Sequence, residues 1–189
     1  ANGAPSLNPG HRPGPGSIGA SSLNLAMVAG RGAAMIRCTM PQSLSRILIH
    51  LVFSTRHRER VLTPAVQSEL HPYLAGTLDH LDCPSLQVGG VEDHVHLFFG
   101  LSRTRSIAEV VEAVKTSSST WIKSKGPEFS GFHWQSGYGA FSVSRSGADP
   151  VVAYIRNQAQ HHHRMSFQDE YRQVLERYGV AFDERYVWD

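Results

Sequence analysis

His94-Val95-His96 and the pair Tyr154 and Gln158 are the residues in this 189-residue chain whose types and spacing suit chemistry. The two histidines lie in an apolar run from His94 to Leu101 that reads as a strand, where alternate side chains share a face. Both imidazoles then point one way and Val95 the other, a two-point clamp for a metal ion. Taken alone, the pair serves equally well as structural or surface histidines, so something else must converge on it. Tyr154 and Gln158 stand at i and i+4 in a segment of helical pattern and project from one helical face, delivering a phenol and an amide together. Read separately, Tyr154 is a core aromatic with a hydrogen-bonded hydroxyl, and Gln158 a surface residue of a good helix former.

The surrounding elements are legible from periodicity and caps. Ser45 to Ser54 (SRILIHLVFS) is β-branched and apolar, as a buried strand requires. Thr63-Pro64 supplies an N-cap and first-turn proline for a helix ending near Leu81, with Val66, Leu70, Tyr73, Leu74 and Leu78 at helical spacing. Leu86 to Val91 and His94 to Leu101 flank Glu92-Asp93 as an antiparallel pair. Ser106 with Glu109 forms a capping box opening a second helix that stops at Gly126. Trp134 to Ser144 reads as a bent strand. Asp149-Pro150 opens a third helix running toward His161-His162-His163, a cluster expected to be a solvated helix end, the alternative being that His161 or His162, the latter at i+4 from Gln158, approaches the metal or the DNA; Ser166 opens a fourth through Tyr178-Gly179. This order predicts an α+β fold: a ferredoxin-like antiparallel sheet (split β-α-β) with helices on one face and extra C-terminal helices.

Composition marks a boundary near Met40. All 16 acidic residues and all 17 aromatics lie beyond residue 40, while residues 1–39 hold 7 Gly and 4 Pro with Arg12, Arg31 and Arg37 as their only charges. Such a segment buries too little surface to offset its ordering entropy, so residues 1–39 are expected to be a disordered leader, upstream of a natural start at Met40, and 40–189 the working domain. The body carries 15 basic and 16 acidic side chains, which excludes a histone-like mode of DNA attraction. Two cysteines, Cys38 and Cys83, exclude a disulfide framework. The apolar stretch Leu23 to Ala29 is too short to span a bilayer, and the expected location is cytoplasmic, at the nucleoid while acting on DNA.

Five ordered blocks together resemble the HUH single-tyrosine transposases of bacterial insertion sequences and their REP-associated relatives. They are His50-Leu51-Val52-Phe53-Ser54-Thr55, Asp93-His94-Val95-His96-Leu97, Trp134-Gln135-Ser136-Gly137-Tyr138-Gly139-Ala140-Phe141, Tyr154-Ile155-Arg156-Asn157-Gln158, and Asp183-Glu184-Arg185-Tyr186-Val187-Trp188-Asp189. The resemblance implies that His94 and His96 bind a divalent metal with Gln158 as third ligand, and that Tyr154 is the nucleophile. It further implies a homodimer whose active sites are shared between subunits and a substrate of single-stranded DNA with hairpins.

The chemistry of those residues is consistent with that implication. A phosphotyrosine ester preserves the energy of the phosphodiester, so a later hydroxyl can rejoin the strand without ATP. Two imidazoles and an amide oxygen leave positions for water and a phosphate oxygen, which suits Mg²⁺ or Mn²⁺, whereas zinc more often recruits a thiolate or third histidine. Phosphate contacts are expected from Arg56, Arg58 and Arg60 after the first strand and from Lys115, Lys123 and Lys125 on the second helix. Trp134 and Tyr138 are candidates for base stacking, Phe141 for the core. His50 contacts the scissile strand or is an interior hydrogen-bonded histidine. The expected activity is a metal-dependent, single-stranded DNA endonuclease and strand transferase. The alternatives are a domesticated hairpin DNA-binding or REP-processing protein, and a metal hydrolase in which Tyr154 is structural.

Overall fold

Alternation within the strands sorts the body into two layers around one sheet. The computed structural model describes residues 44–162, 166–185 and 187–188, all within one unit, Gln42–Asp189. The leader expectation for residues 1–39 falls outside the described residues, as do His163 and the side chain of His161.

Four strands, β1 (Leu48–Ser54), β2 (Ser85–Gly90), β3 (His94–Gly100) and β4 (Gly139–Val143), pair antiparallel in the order β2-β3-β1-β4. The register sets Val52 opposite His96, Ser54 opposite His94 and His50 opposite both Phe98 and Phe141. One face therefore carries Ile49, Leu51, Phe53, Val95, Leu97 and Phe99. Helices α1 (Pro64–His80) and α2 (Ile107–Lys123) cover it with Leu70, Leu74, Leu78, Val110, Val114 and Ile122 to make the main core. Both helices begin as their caps dictate, Thr63 accepting from the Val66 amide and Ser106 with Glu109 completing the capping box.

The opposite face is covered by the C-terminal helices: α3 (Ala148–Arg156), α4 (Gln158–His161) and α5 (Phe167–Arg177). Leu48 and Phe98 pack with Ala148 and Ile155, while Val52 and Phe141 pack with Phe167, Tyr171 and Leu175. Two glycines permit this close approach. A Cβ at Gly89 would stand 2.7 Å from the Ile155 carbonyl oxygen, and one at Gly139 would stand 2.6 Å from the Tyr171 hydroxyl.

The architecture is the expected ferredoxin-like one, with three local differences. The third helix starts at Ala148 and leaves helical geometry at Asn157 (φ −96°, ψ 15°), so Tyr154 and Gln158 sit on successive short helices rather than on one. The bent strand from Trp134 pairs only over Gly139–Val143, apart from an isolated bridge between Trp134 and Thr55. In its first part Gln135 donates its amide to the Ser54 carbonyl, and the carbonyls of Gln135, Ser136 and Gly137 turn to the Lys115 ammonium at 2.9, 3.3 and 2.7 Å instead of continuing the ladder. The first strand begins at Leu48 rather than Ser45.

Candidate active site

Between the two apolar clusters of the second face runs a buried polar strip: His50, His94, His96, Gln158 and Glu170 are each at most 4% exposed. Desolvating so many polar groups is costly unless they engage one another or a ligand. Their arrangement gives each ring a defined orientation.

His94 turns its Nδ1 toward Asp93, whose Oδ1 lies 2.7 Å away. Burial acts to raise the Asp93 carboxyl, but the hydrogen bond from His94 and the basic side chains around it, Arg60 among them, outweigh it and hold Asp93 below its usual range. An ionised Asp93 accepts the Nδ1 proton and leaves the His94 Nε2 lone pair facing inward. That buried Nε2 has no hydrogen-bond partner among the described residues. His96 is oriented in the same way by a different group, since its Nδ1 lies 3.0 Å from His50 Nε2. Burial holds His50 down at about 4, so its neutral ring can accept the His96 Nδ1–H and again direct Nε2 inward. The strand alternation that places both imidazoles on one face is thus reinforced by one partner for each ring.

Both Nε2 atoms face Glu170 on α5, at 3.8 Å for His94 and 3.7 Å for His96. His162 is not the solvated helix-end histidine expected: its Nε2 lies 2.6 Å from Glu170 Oε2. Gln158 Nε2 donates to Glu170 Oε1 at 3.0 Å, leaving buried Gln158 Oε1 without a hydrogen-bond partner among the described residues. Burial, and secondarily the Asp93 charge, push Glu170 up to about 8. His94, His162 and Glu170 offer ligand atoms within 4.8 Å of one another, a group able to hold a metal ion. Phe167 stacks on His94 with centroids 4.4 Å apart and closes that side of the strip.

Tyr154 borders the same strip. Its ring meets His96 edge-on at 5.6 Å and His50 at 6.0 Å, and it lines a cleft with His50, Pro150, Glu170, Val174 and Arg177. The structure therefore brings together His94, His96, Gln158 and Tyr154 within one chain. Glu170, Asp93 and the positioning contact of His50 escape a reading of the sequence. Asp93 has a signal there, as the carboxylate preceding the first histidine, and His50 proves to be the interior hydrogen-bonded histidine, one of its two readings.

The basic residues divide by location. Arg56, Arg58 and Arg60 follow β1 in a loop tied to the His94 end of β3, where the Thr55 amide donates to the Asp93 carbonyl at 2.8 Å. His57 and Arg58 adopt left-handed φ of 54° and 57°, Arg56 is exposed, and Arg60 pairs with Glu92 at 2.6 Å. Lys115 is committed to its three carbonyls, and Lys123 and Lys125 lie at the end of α2 on the other side of the sheet, Lys125 pairing with Glu69 and lying over Trp121. The structure does not bring these three lysines to the histidines. Trp134 is a core residue, donating to Ser118 Oγ at 2.9 Å and meeting Phe53 edge-on, whereas Tyr138 is 40% exposed.

A ferredoxin-like sheet carries two inward-facing histidines with a tyrosine beside them, and comparison with known proteins gives the family. Residues 43–158 match the family model described as Transposase IS200 like, and the chain belongs to that family. The fold is similar to that of a candidate transposase from Deinococcus radiodurans R1, with 26% identity, 70% of this chain and 98% of that chain covered, and a TM-score of 0.50. A REP-associated tyrosine transposase bound to a REP hairpin aligns at 14% identity over 65% of this chain and 74% of that one, with a TM-score of 0.46. No protein of curated function matches the sequence. The protein is thus a transposase acting on DNA, and no helix among the described residues is long and apolar enough to cross a membrane.

Proposed function

We propose that this transposase cleaves and rejoins single-stranded DNA at hairpin-bearing element ends through a covalent phosphotyrosine formed on Tyr154. The observation that carries the reading is the convergence, in one chain, of two Nε2-directed histidines on β3 with the Tyr154 ring 5.6 Å from His96. In the proposed step the Tyr154 oxygen forms a bond to phosphorus as the phosphorus–oxygen bond to the leaving strand breaks. The leaving oxygen departs as a hydroxyl after taking up a proton, and the phenolic proton passes to solvent. Reversal by an incoming hydroxyl restores the phosphodiester and frees the tyrosine.

The donor set fits a divalent cation, because buried His94 Nε2 and Gln158 Oε1 lack hydrogen-bond partners among the described residues beside a buried carboxylate. His94, His96 and Gln158 would hold it, as Mg²⁺ or Mn²⁺, and its chemistry is Lewis-acid polarisation of the scissile phosphate. Asp93 and His50 keep the two imidazoles aimed. Arg56, Arg58 and Arg60, bordering the His94 end, are the side chains best placed to track the DNA backbone, with Tyr138 as a stacking surface. The proposal further takes residues 40–189 as the domain, a homodimer as the working assembly, and the nucleoid as the place of action. The proposal takes the active sites as shared between the two subunits of that dimer.

The test incubates purified protein with labelled single-stranded hairpin DNA from the genomic flanks of its own gene and Mn²⁺. A denaturation-resistant protein–DNA band that disappears in Tyr154→Phe is expected. A mobility shift without any such band would replace the proposal with a hairpin-binding protein.

A further inference from the structure

Helix α5 lies beyond residues 43–158, which match the transposase family, yet it sends a carboxyl side chain into the middle of the histidine strip. Glu170 is 3% exposed, and its two oxygens face the two strand histidines separately, Oε2 toward His94 Nε2 at 3.8 Å and Oε1 toward His96 Nε2 at 3.7 Å. These separations are too long for hydrogen bonds. They fall within the range of donors around one cation: bonds of about 2.1 Å place octahedral ligands about 3.0 Å apart when adjacent and about 4.2 Å apart when opposite, and the observed separations lie between.

We propose that Glu170 is a protein ligand of the divalent cation held by His94 and His96, with His162 as the residue that positions its carboxylate. The inference rests on the cation site of the proposed function. It converts two imidazoles and an amide into a set that includes an anionic oxygen, the ligand type that hard cations such as Mn²⁺ and Mg²⁺ prefer. Gln158 turns its Nε2 to Glu170 Oε1 at 3.0 Å, leaving its Oε1 for the cation, and His162, 2.6 Å from Oε2, holds the carboxylate from the other side as the outer partner of a metal ligand does. Phe167, one turn earlier on α5, lies against His94, so one helix both seals the strip and supplies the carboxylate.

The experiment is Mn²⁺ titration of the DNA-free protein, followed by calorimetry and by the loss of the free-ion electron paramagnetic resonance signal. The wild type is expected to bind one Mn²⁺, His94→Ala to lose binding, and Glu170→Gln, which keeps the shape of the side chain, to bind at least tenfold more weakly. His162→Asn should fall between wild type and Glu170→Gln. If Glu170→Gln does not fold, Glu170→Asp, which keeps the charge and shortens the reach, must weaken binding in its place. Equal affinity of the Glu170 variant and the wild type, with His94→Ala still defective, overturns this proposal alone. Absence of Mn²⁺ binding by the wild type overturns the cation site itself.

Discussion

Gly89→Ala tests whether the position of α3 governs the reaction. A Cβ at residue 89 would meet the Ile155 carbonyl oxygen at 2.7 Å and its Cγ2 at 2.8 Å, whereas an ordinary contact needs 3.4 Å. The obstacle is backbone, so no side-chain rotation relieves it, and the segment of α3 bearing Ile155 and its neighbour Tyr154 must retreat by roughly 0.7 Å. A misplacement of about 1 Å costs on the order of 100-fold in rate for an oriented nucleophile, so adduct formation should slow about 10- to 100-fold. Overpacking of this kind costs about 1–3 kcal/mol, a melting temperature lower by several degrees. His94 and His96 sit on β3, which β1 holds from its other side, but His96 pairs with Gly89 and Gln158 follows close after α3, so Mn²⁺ affinity should fall too, by less than the rate. The assay compares single-turnover rates of adduct formation on the same hairpin DNA, with Mn²⁺ titration as the control. Adduct formation at the wild-type rate, with the melting temperature lowered as expected, would refute the claim that α3 delivers the nucleophile.

Other perturbations separate the parts of the site. His50→Leu keeps most of the volume but removes the acceptor for His96 Nδ1, and Mn²⁺ affinity should fall about 10- to 100-fold, the usual effect of losing an outer partner; binding at wild-type strength would show that His50 does not orient His96. His96→Ala should abolish DNA cleavage and weaken Mn²⁺ binding, and retention of both would remove it from the site. Lys115→Met probes pH linkage, because burial lowers the Lys115 ammonium to about 8 from its ordinary 10.5. Between those values the unfolded chain binds the proton that the folded protein has released, so this group makes the fold relatively more stable as pH rises. The wild type's lead in melting temperature over Lys115→Met should therefore widen between pH 8 and pH 10, and a lead that shrinks would contradict the burial argument.

What the sequence displayed, and what it concealed, follow from how local each signal is. The HxH spacing and the alternation of β1 needed only the two-residue period of a strand, and the order of elements needed only caps such as Thr63-Pro64 and Ser106 with Glu109. The break at Asn157 carries no proline or glycine, so the helical pattern runs through it unmarked. The early part of the Trp134 segment is held out of the sheet by Lys115, a partner 20 or so residues away that no local pattern announces. Glu170 is the clearest case: on an amphipathic helix with Asp169 and Glu176 it looks like one more solvated acid, and only packing of Phe167, Tyr171 and Leu175 on the sheet turns it inward. His50 likewise needed a neighbouring strand to become the partner of His96.

The most direct measurement of the central claim is peptide mapping of the covalent complex. Protein would be reacted with single-stranded hairpin DNA and Mn²⁺, digested with nuclease and protease, and the nucleotide-bearing peptide sequenced by mass spectrometry. The expected result is a nucleotide attached through phosphate to Tyr154; attachment at any other residue would contradict the account.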